Sequence, residues 1–236
     1  MSDTATQPDN ATIEAMFNAG AHFGYSRARR HSSVRPYLYG AKNGVDIIDL
    51  LETVRMLETA KARLHELGKL GKTVLFVGTK PEINAIVLEV SKSIPMPVVT
   101  ERWIGGTLTN WGEIKKRTAR LKDLSDKFAK GELEKYTKKE RLLFEREMAK
   151  LQTEFGGISA LEGLPAAVVI VDPREEHIAV AEATKMKVEM IALLNSDCDA
   201  SEITYPILAN DSALKSVRYF LEELRGAYLE GAKQKA

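Results

Sequence analysis

One cysteine, Cys198, stands in 236 residues. No intrachain disulfide and no thiol metal cluster can form from it, and such a chain fits a reducing cytoplasm. The four histidines, His22, His31, His65 and His177, show no metal spacing such as H-E-x-x-H. No run approaches the roughly 20 apolar residues that a membrane span requires. Met1 to Asn10 is polar and lacks the apolar stretch of a signal peptide. Neither the P-loop spacing nor G-x-G-x-x-G occurs. One further absence is local: between Gly20 and Gly44 there is no Asp or Glu.

That last gap carries the most information. The same segment holds Arg27, Arg29, Arg30, Arg35 and Lys42, while the whole chain has a formal net charge of only +1. Positive charge is concentrated here and balanced elsewhere, which is the footprint of a surface that meets phosphate. Arginine's flat fork suits bidentate phosphate contacts. Phe23, Tyr25, Tyr37 and Tyr39 can stack on bases or sugars. A solvated basic face is the bland alternative.

Apolar residues at 44% allow a sizeable core, and charged residues at 28% are ordinary for a soluble protein. Ile13, Met16 and Phe17 mark one helix face, which Gly20 ends. Tyr37-Leu-Tyr-Gly and Val45-Asp-Ile-Ile-Asp flank Lys42-Asn-Gly44 as strand, tight turn and strand. Asp49 with Glu52 signals the start of a helix running to Gly68. Thr73 to Gly78, Pro97 to Thr100, Ala166 to Asp172 and Val188 to Leu194 read as strands buried on both faces. Tyr205 to Leu208 reads as an edge strand, where a proline is tolerable. Helices are expected from the capping box Thr79-Lys-Pro-Glu82, from Asp172-Pro-Arg-Glu175, and after Asn210 or Asp211. Strand alternating with helix predicts an α/β fold: a Rossmann-like (flavodoxin-like) parallel sheet with helices on both faces.

Trp111 to Phe155 breaks that rhythm. It reads as two helices with no strand between them, the second opened by the capping box Thr137-Lys-Lys-Glu140. Helices of this length project roughly 25 Å. The expectation is an antiparallel hairpin inserted as an arm; a hairpin folded back on the sheet is the alternative. The predicted organisation is a disordered tail over 1–11, a globular α/β domain over 12–110 and 156–231, the hairpin over 111–155, and a loose tail over 232–236.

At the root of the arm, Arg102-Trp-Ile-Gly-Gly-Thr-Leu-Thr-Asn-Trp111 combines an arginine, two tryptophans and a glycine turn. It reads as a nucleic-acid loop, with Arg102 on phosphate and a tryptophan such as Trp103 stacking, or as packing of the arm on the sheet. Lys115, Lys116, Arg117 and Arg120 carry positive charge up the first arm helix. Two enzyme-like features stand beside these. Gly78-Thr79-Lys80 follows a strand and could hold a phosphate at a helix N-terminus. Asp197-Cys-Asp199, with Glu202, could hold Mg²⁺ and a nucleotide diphosphate. No base or nucleophile accompanies either, so a nucleotide- or nucleotide-sugar-binding enzyme is the minor alternative.

Several motifs together resemble one family. Ala21-His-Phe-Gly24, Arg35-Pro-Tyr-Leu-Tyr-Gly-Ala-Lys-Asn-Gly44, Ile47-Ile-Asp-Leu50 and Leu75-Phe-Val-Gly-Thr-Lys80 look like bacterial small-subunit ribosomal protein two. So do the Arg102 to Trp111 loop, Gly163-Leu-Pro165, Glu176-His-Ile-Ala179 and Glu182-Ala183. The resemblance runs from about Thr12 to Leu224. It implies a Rossmann-like sheet with an inserted antiparallel α-helical coiled-coil hairpin. It implies a structural constituent of the small ribosomal subunit, cytoplasmic and without catalysis; no cofactor is expected, and no spacing demands a metal. The implied partners are ribosomal RNA and neighbouring small-subunit proteins, with ribosomal protein one recruited to capture messenger RNA. The chain would be a single copy in the ribosome, with no membrane. Carried onto matching positions, the RNA-facing set is Arg27, Arg29, Arg30, Arg35, Lys42, Asn43, Arg102 and Asn110, to which the residue reading adds Trp103, Lys115 and Lys116. The chain departs from the family at Tyr25, where a histidine is usual, and at His31, where a tryptophan is usual. Lys187-Val188 lacks a customary proline. Leu193-Leu-Asn-Ser-Asp-Cys-Asp199 lacks the Asp, Thr and Pro of a D-T-N-x-D-P loop.

Overall fold

The computed structural model describes residues 10–94 and 96–234. Helix α1 spans Asn10–Asn18. A three-stranded antiparallel sheet follows, of β1 (Phe23–Ser26), β2 (Leu38–Lys42) and β3 (Val45–Ile48), in the order β1-β3-β2. The β2–β3 turn is Asn43-Gly44, both with positive φ (52° and 78°). That backbone is the one a two-residue hairpin selects Asn-Gly for. Helix α2 (Leu50–Lys69) then starts where Asp49 accepts the Leu51 N–H at 2.9 Å.

The main sheet contains β4 (Val74–Val77), β5 (Val98–Val99), β6 (Ala167–Val171), β7 (Glu189–Leu194) and β8 (Tyr205–Leu208). All pair in parallel, in the order β5-β4-β6-β7-β8. By appearance this is 2-1-3-4-5, the flavodoxin-like order, whose switch point lies between β4 and β6. Alternate residues along each strand face opposite layers. Val74, Phe76, Val169 and Ile191 join α2, α3 (Asn84–Ser93) and α7 (Leu214–Lys233) in one apolar cluster. Leu75, Val77, Val168 and Ile170 join α6 (His177–Met186) and the base of the arm in another. Each fully buried aliphatic side chain contributes about 1.5–3 kcal/mol. Pro206 sits in the edge strand β8, as the sequence suggests.

The arm consists of α4 (Trp111–Ala129) and α5 (Lys138–Phe155). The two helices lie against each other, with Arg120 bridging to Glu147 at 3.0 Å. Leu121, Leu124, Leu151 and Phe155 extend the second apolar cluster into their base. The Thr137–Glu140 capping box forms in both directions. No helix among the described residues is long and apolar enough to cross a membrane.

Four expectations are corrected. Asn10 and Ala11, expected in a tail, supply the first turn of α1, which carries Met16 into the core; residues 1–9 lie outside the described residues. At the other end, Ala232 and Lys233 belong to α7, which stays helical because it packs along α2; residues 235–236 lie outside the described residues. Thr79 and Glu82 form no capping box: α3 begins only at Asn84, and the Thr79 amide turns to another partner. Asp172 likewise does not cap α6 but accepts the Arg174 and Glu175 amides (3.1 and 3.2 Å), and the helix starts at His177.

Candidate nucleic-acid interface

The small antiparallel sheet lies over the carboxyl ends of β7 and β8. Ser196 Oγ accepts the Tyr25 amide at 2.8 Å, and Ser196 O accepts the His31 amide at 2.8 Å. Ser33 Oγ accepts the Ala200 amide, and Ala21 O accepts the Asn210 amide, both at 2.9 Å. Two short 3₁₀ turns, Arg27–Arg29 and Ser32–Tyr37, carry the arginines. Val34 is buried from the second turn and anchors it in the same apolar cluster as Ile48.

The basic side chains divide into two groups. Arg27, Arg29, Arg35 and Lys42 are exposed, and none makes an ion pair among the described residues. Arg29 lies over the Tyr25 ring at 5.7 Å, and Asn43 is exposed in its turn. Four uncompensated cations on one small sheet and its two turns make a strong local positive field. Arg30 behaves differently. Its Nε donates to Asp46 Oδ2 at 2.8 Å and its Nη2 to Asp46 Oδ1, and Asp46 is fully buried. Asp46 raises the Arg30 pKa through that hydrogen bond. Arg30 is therefore an internal pin that holds the turn on β3.

At the root of the arm, Arg102 and Asn110 are exposed, and Arg102 has no acidic partner among the described residues. Lys115 is exposed and unpaired in the same sense, whereas Lys116 pairs with Glu113 at 2.6 Å. Trp103 is only 6% exposed, and its indole N–H donates to Glu182 at 3.1 Å, which is the packing reading of the loop rather than the stacking one. Glu182 stands in the motif Glu182-Ala183, but its bond to a loop 79 positions away was not visible from spacing. Its one signal is a carboxylate on the face of α6 that also buries Ala179 and Ala183.

The enzyme-like features are occupied from within. The Thr79 amide, where a phosphate would sit, donates to Glu176 Oε1 at 2.7 Å. Burial raises the Glu176 pKa, against the pull of those Thr79 hydrogen bonds. Lys80 Nζ contacts Asp172 Oδ2 and lies 3.8 Å from Asp211 Oδ2. Burial lowers the Lys80 pKa, but Asp211 and Asp172 outweigh it and raise it above the ordinary lysine value. Asp172, Cys198 and Asp211 offer ligand atoms within 4.8 Å of one another, a trio that sequence spacing did not reveal. Lys80 already supplies the cation these carboxylates face. Burial pushes the Cys198 thiol far up, so it is a packed group rather than a nucleophile. In the D-x-D segment, Asp197 pairs with Arg174 at 2.5 Å and Asp199 accepts from Ser201 Oγ at 2.6 Å. His31 Nδ1 is 3.6 Å from Asp199, across a shallow cleft of about 290 Å³ that His177 and Glu202 also line.

Sequence comparison decides among these readings. A family model described as ribosomal protein S2 matches residues 16–231. The chain belongs to this family. It is 38% identical over 224 residues to a protein of Geotalea uraniireducens (strain Rf4), covering 95% of this chain and 88% of that one. It is 39% identical over 220 residues to one of Paramagnetospirillum magneticum, covering 93% and 83%. It is 40% identical over 220 residues to one of Desulfovibrio desulfuricans, covering 93% and 85%. All three are named small ribosomal subunit protein uS2.

At Tyr25, Lys187 and Cys198, where this S2-family chain departs from the pattern, the structure shows what the residue present does. The Tyr25 hydroxyl reaches Ser212 Oγ at 2.8 Å, and Lys80 Nζ lies 3.4 Å from the same oxygen. Lys187 has φ 55° and its N–H bonds back to Thr184 O, neither of which proline permits. Cys198 donates its amide to Asn195 O at 3.2 Å, which proline also could not do.

Proposed function

We propose that this chain is a non-catalytic structural constituent of the small ribosomal subunit, seated by contacts with ribosomal RNA. Family membership supports the assignment, and the observation that carries the RNA contact is the unpaired set Arg27, Arg29, Arg35 and Lys42. Arg102, Asn110 and Lys115 form a second contact at the root of the arm, with Asn43 and Lys116 flanking the two. The α4–α5 pair is the coiled-coil insertion of the fold, and it reaches away from the sheet toward neighbouring ribosomal components. One such neighbour is ribosomal protein one, which this chain helps recruit for translation initiation. The chain works as a single copy in the ribosome, in the cytoplasm.

Fractionation of a cell lysate on a sucrose gradient tests the assignment. The chain is expected to sediment with small subunits at low and moderate salt. Recovery only in the soluble top fractions would overturn it.

A further inference from the structure

Glu182 stands on α6, yet its carboxylate gathers the loop that leads into α4. Oε1 accepts the Trp103 indole N–H at 3.1 Å and the Gly106 amide at 2.7 Å. Oε2 accepts the Leu108 amide at 2.9 Å, and the Thr109 amide and hydroxyl each at 3.0 Å. Five donors thus converge on one carboxylate that is 8% exposed. Burial pushes its pKa up, but the hydrogen bonds from Thr109, Gly106, Trp103 and Leu108 outweigh burial and hold it below the ordinary value. Hydrogen bonds to an ionised acceptor are roughly twice as strong as neutral ones.

The loop's own contacts are few beside these five. Gly106 has φ +93°, and a Cβ at Gly105 would meet nothing within 4 Å. Inside the loop, the Thr107 hydroxyl donates to Ile104 O at 2.6 Å and the Asn110 amide to Gly106 O at 2.7 Å. Trp103 and Leu108 are buried beneath, while Arg102 and Asn110 point outward as exposed residues. Ordering a loop backbone costs about 1–2 kcal/mol per residue. A loop that ordered only on meeting RNA would lose that cost from its affinity. Here an internal carboxylate already fills the nest of N–H groups, with no RNA needed to hold them.

We infer that Glu182 is a positioning residue for RNA binding: it folds the Arg102–Trp111 loop into a preformed contact that presents Arg102 and Asn110 and fixes where the arm leaves the domain. This rests on the RNA-binding reading above. Glu182 itself touches no RNA. Its effect passes through Arg102, and that separates it from a residue that merely stabilises the fold.

The test is a double-mutant cycle in the full chain, with transcribed small-subunit ribosomal RNA as the probe. The variants are E182Q, R102A and the pair together. E182Q keeps the shape but turns an NH₂ group toward N–H donors. Amide exchange at Gly106, Leu108 and Thr109 is expected to speed up about tenfold or more in E182Q, while β6 and β7 stay protected. RNA affinity should fall about fivefold in each single variant, and the double variant should bind like R102A alone, since coupled residues are non-additive. The R102A change should also lower the log–log salt slope by about 0.7–0.9, and E182Q should lower it too. Wild-type affinity in E182Q with loosened amides, or strict additivity, would overturn the inference. So would normal binding by R102A, which would leave RNA binding through Arg27, Arg29 and Arg35 standing. A wild-type chain that does not bind the RNA would sink the broader reading with it. If E182Q does not fold, T109A, which removes one of the five donors, enters the same cycle.

Discussion

The backbone N–H of Thr79 is held by the carboxylate of Glu176 at 2.7 Å, at the switch point of the sheet. An acid of the chain itself thus fills the place where this fold usually receives a phosphate. Nucleotides or nucleotide sugars with Mg²⁺ should therefore leave the melting temperature unchanged. A ligand at a hundred times its Kd would add about 2.7 kcal/mol, or roughly 5–10 °C for a domain of this size. A shift of that kind in a nucleotide panel would count against the self-filled site.

Arg30 and its neighbours should separate stability from binding. R30A leaves Asp46 buried without its partner and should cost about 3–5 kcal/mol. R27A, R29A and R35A remove exposed, unpaired cations and should change stability by no more than about 0.5 kcal/mol. Each of these three should instead lower the salt slope of RNA binding by about 0.7–0.9. Urea unfolding and filter binding across salt measure the two effects. Equal stability losses for all four variants would contradict the division.

Asp211 makes stability depend on pH. Burial, with Asp172 close by, pushes its pKa up to about 6 against the pull of Lys80. The folded protein then holds this proton more tightly than the unfolded chain. The contribution is fully present below the ordinary carboxylate pKa and is lost as pH rises through about 6. D211N is neutral throughout. The stability difference should move in its favour between about pH 4 and pH 7, by up to roughly 3 kcal/mol. A difference that stays constant with pH would show that Asp211 titrates normally.

Local chemistry explains which parts of this structure were legible in the sequence. The buried strands stood out because β-branched runs suit a sheet covered on both faces. The Asn43-Gly44 turn and the Asp49 and Thr137 helix starts are satisfied by residues within four positions, so spacing suffices. Thr79 and Glu82 carry the same pattern as Thr137 and Glu140, but a tertiary partner takes the Thr79 amide. Strand β1 carries no such signal, since Gly24 and Ser26 are not strand formers. At the interface, the exposed arginines were visible through the missing acids around them. Arg30 and Trp103 are held by partners, Asp46 and Glu182, that lie 16 and 79 positions away, beyond what spacing reveals.

Helix α7 offers a test in which one substitution should have opposite signs at two sites. A Cβ on Gly231 would stand 2.0 Å from His65 O of α2, and one on Gly68 would stand 2.2 Å from Tyr228 O of α7. The two backbones are in direct contact, and an added methyl must drive them apart. At Gly226, in the same helix, a Cβ would meet nothing within 4 Å. Replacing glycine by alanine inside a helix gains about 0.5–1 kcal/mol by propensity. G226A should therefore be stabilising by about that amount. In G231A the same gain is set against overpacking of about 1–3 kcal/mol, and more where backbone must move. The clash wins because its partner is a carbonyl fixed within α2, which cannot swing aside as a side chain would. G231A should lower the melting temperature by several degrees while G226A raises it, at about 2–4 °C per kcal/mol. Thermal unfolding of the two variants side by side measures this. A G231A protein as stable as G226A would show that α2 and α7 can part without cost.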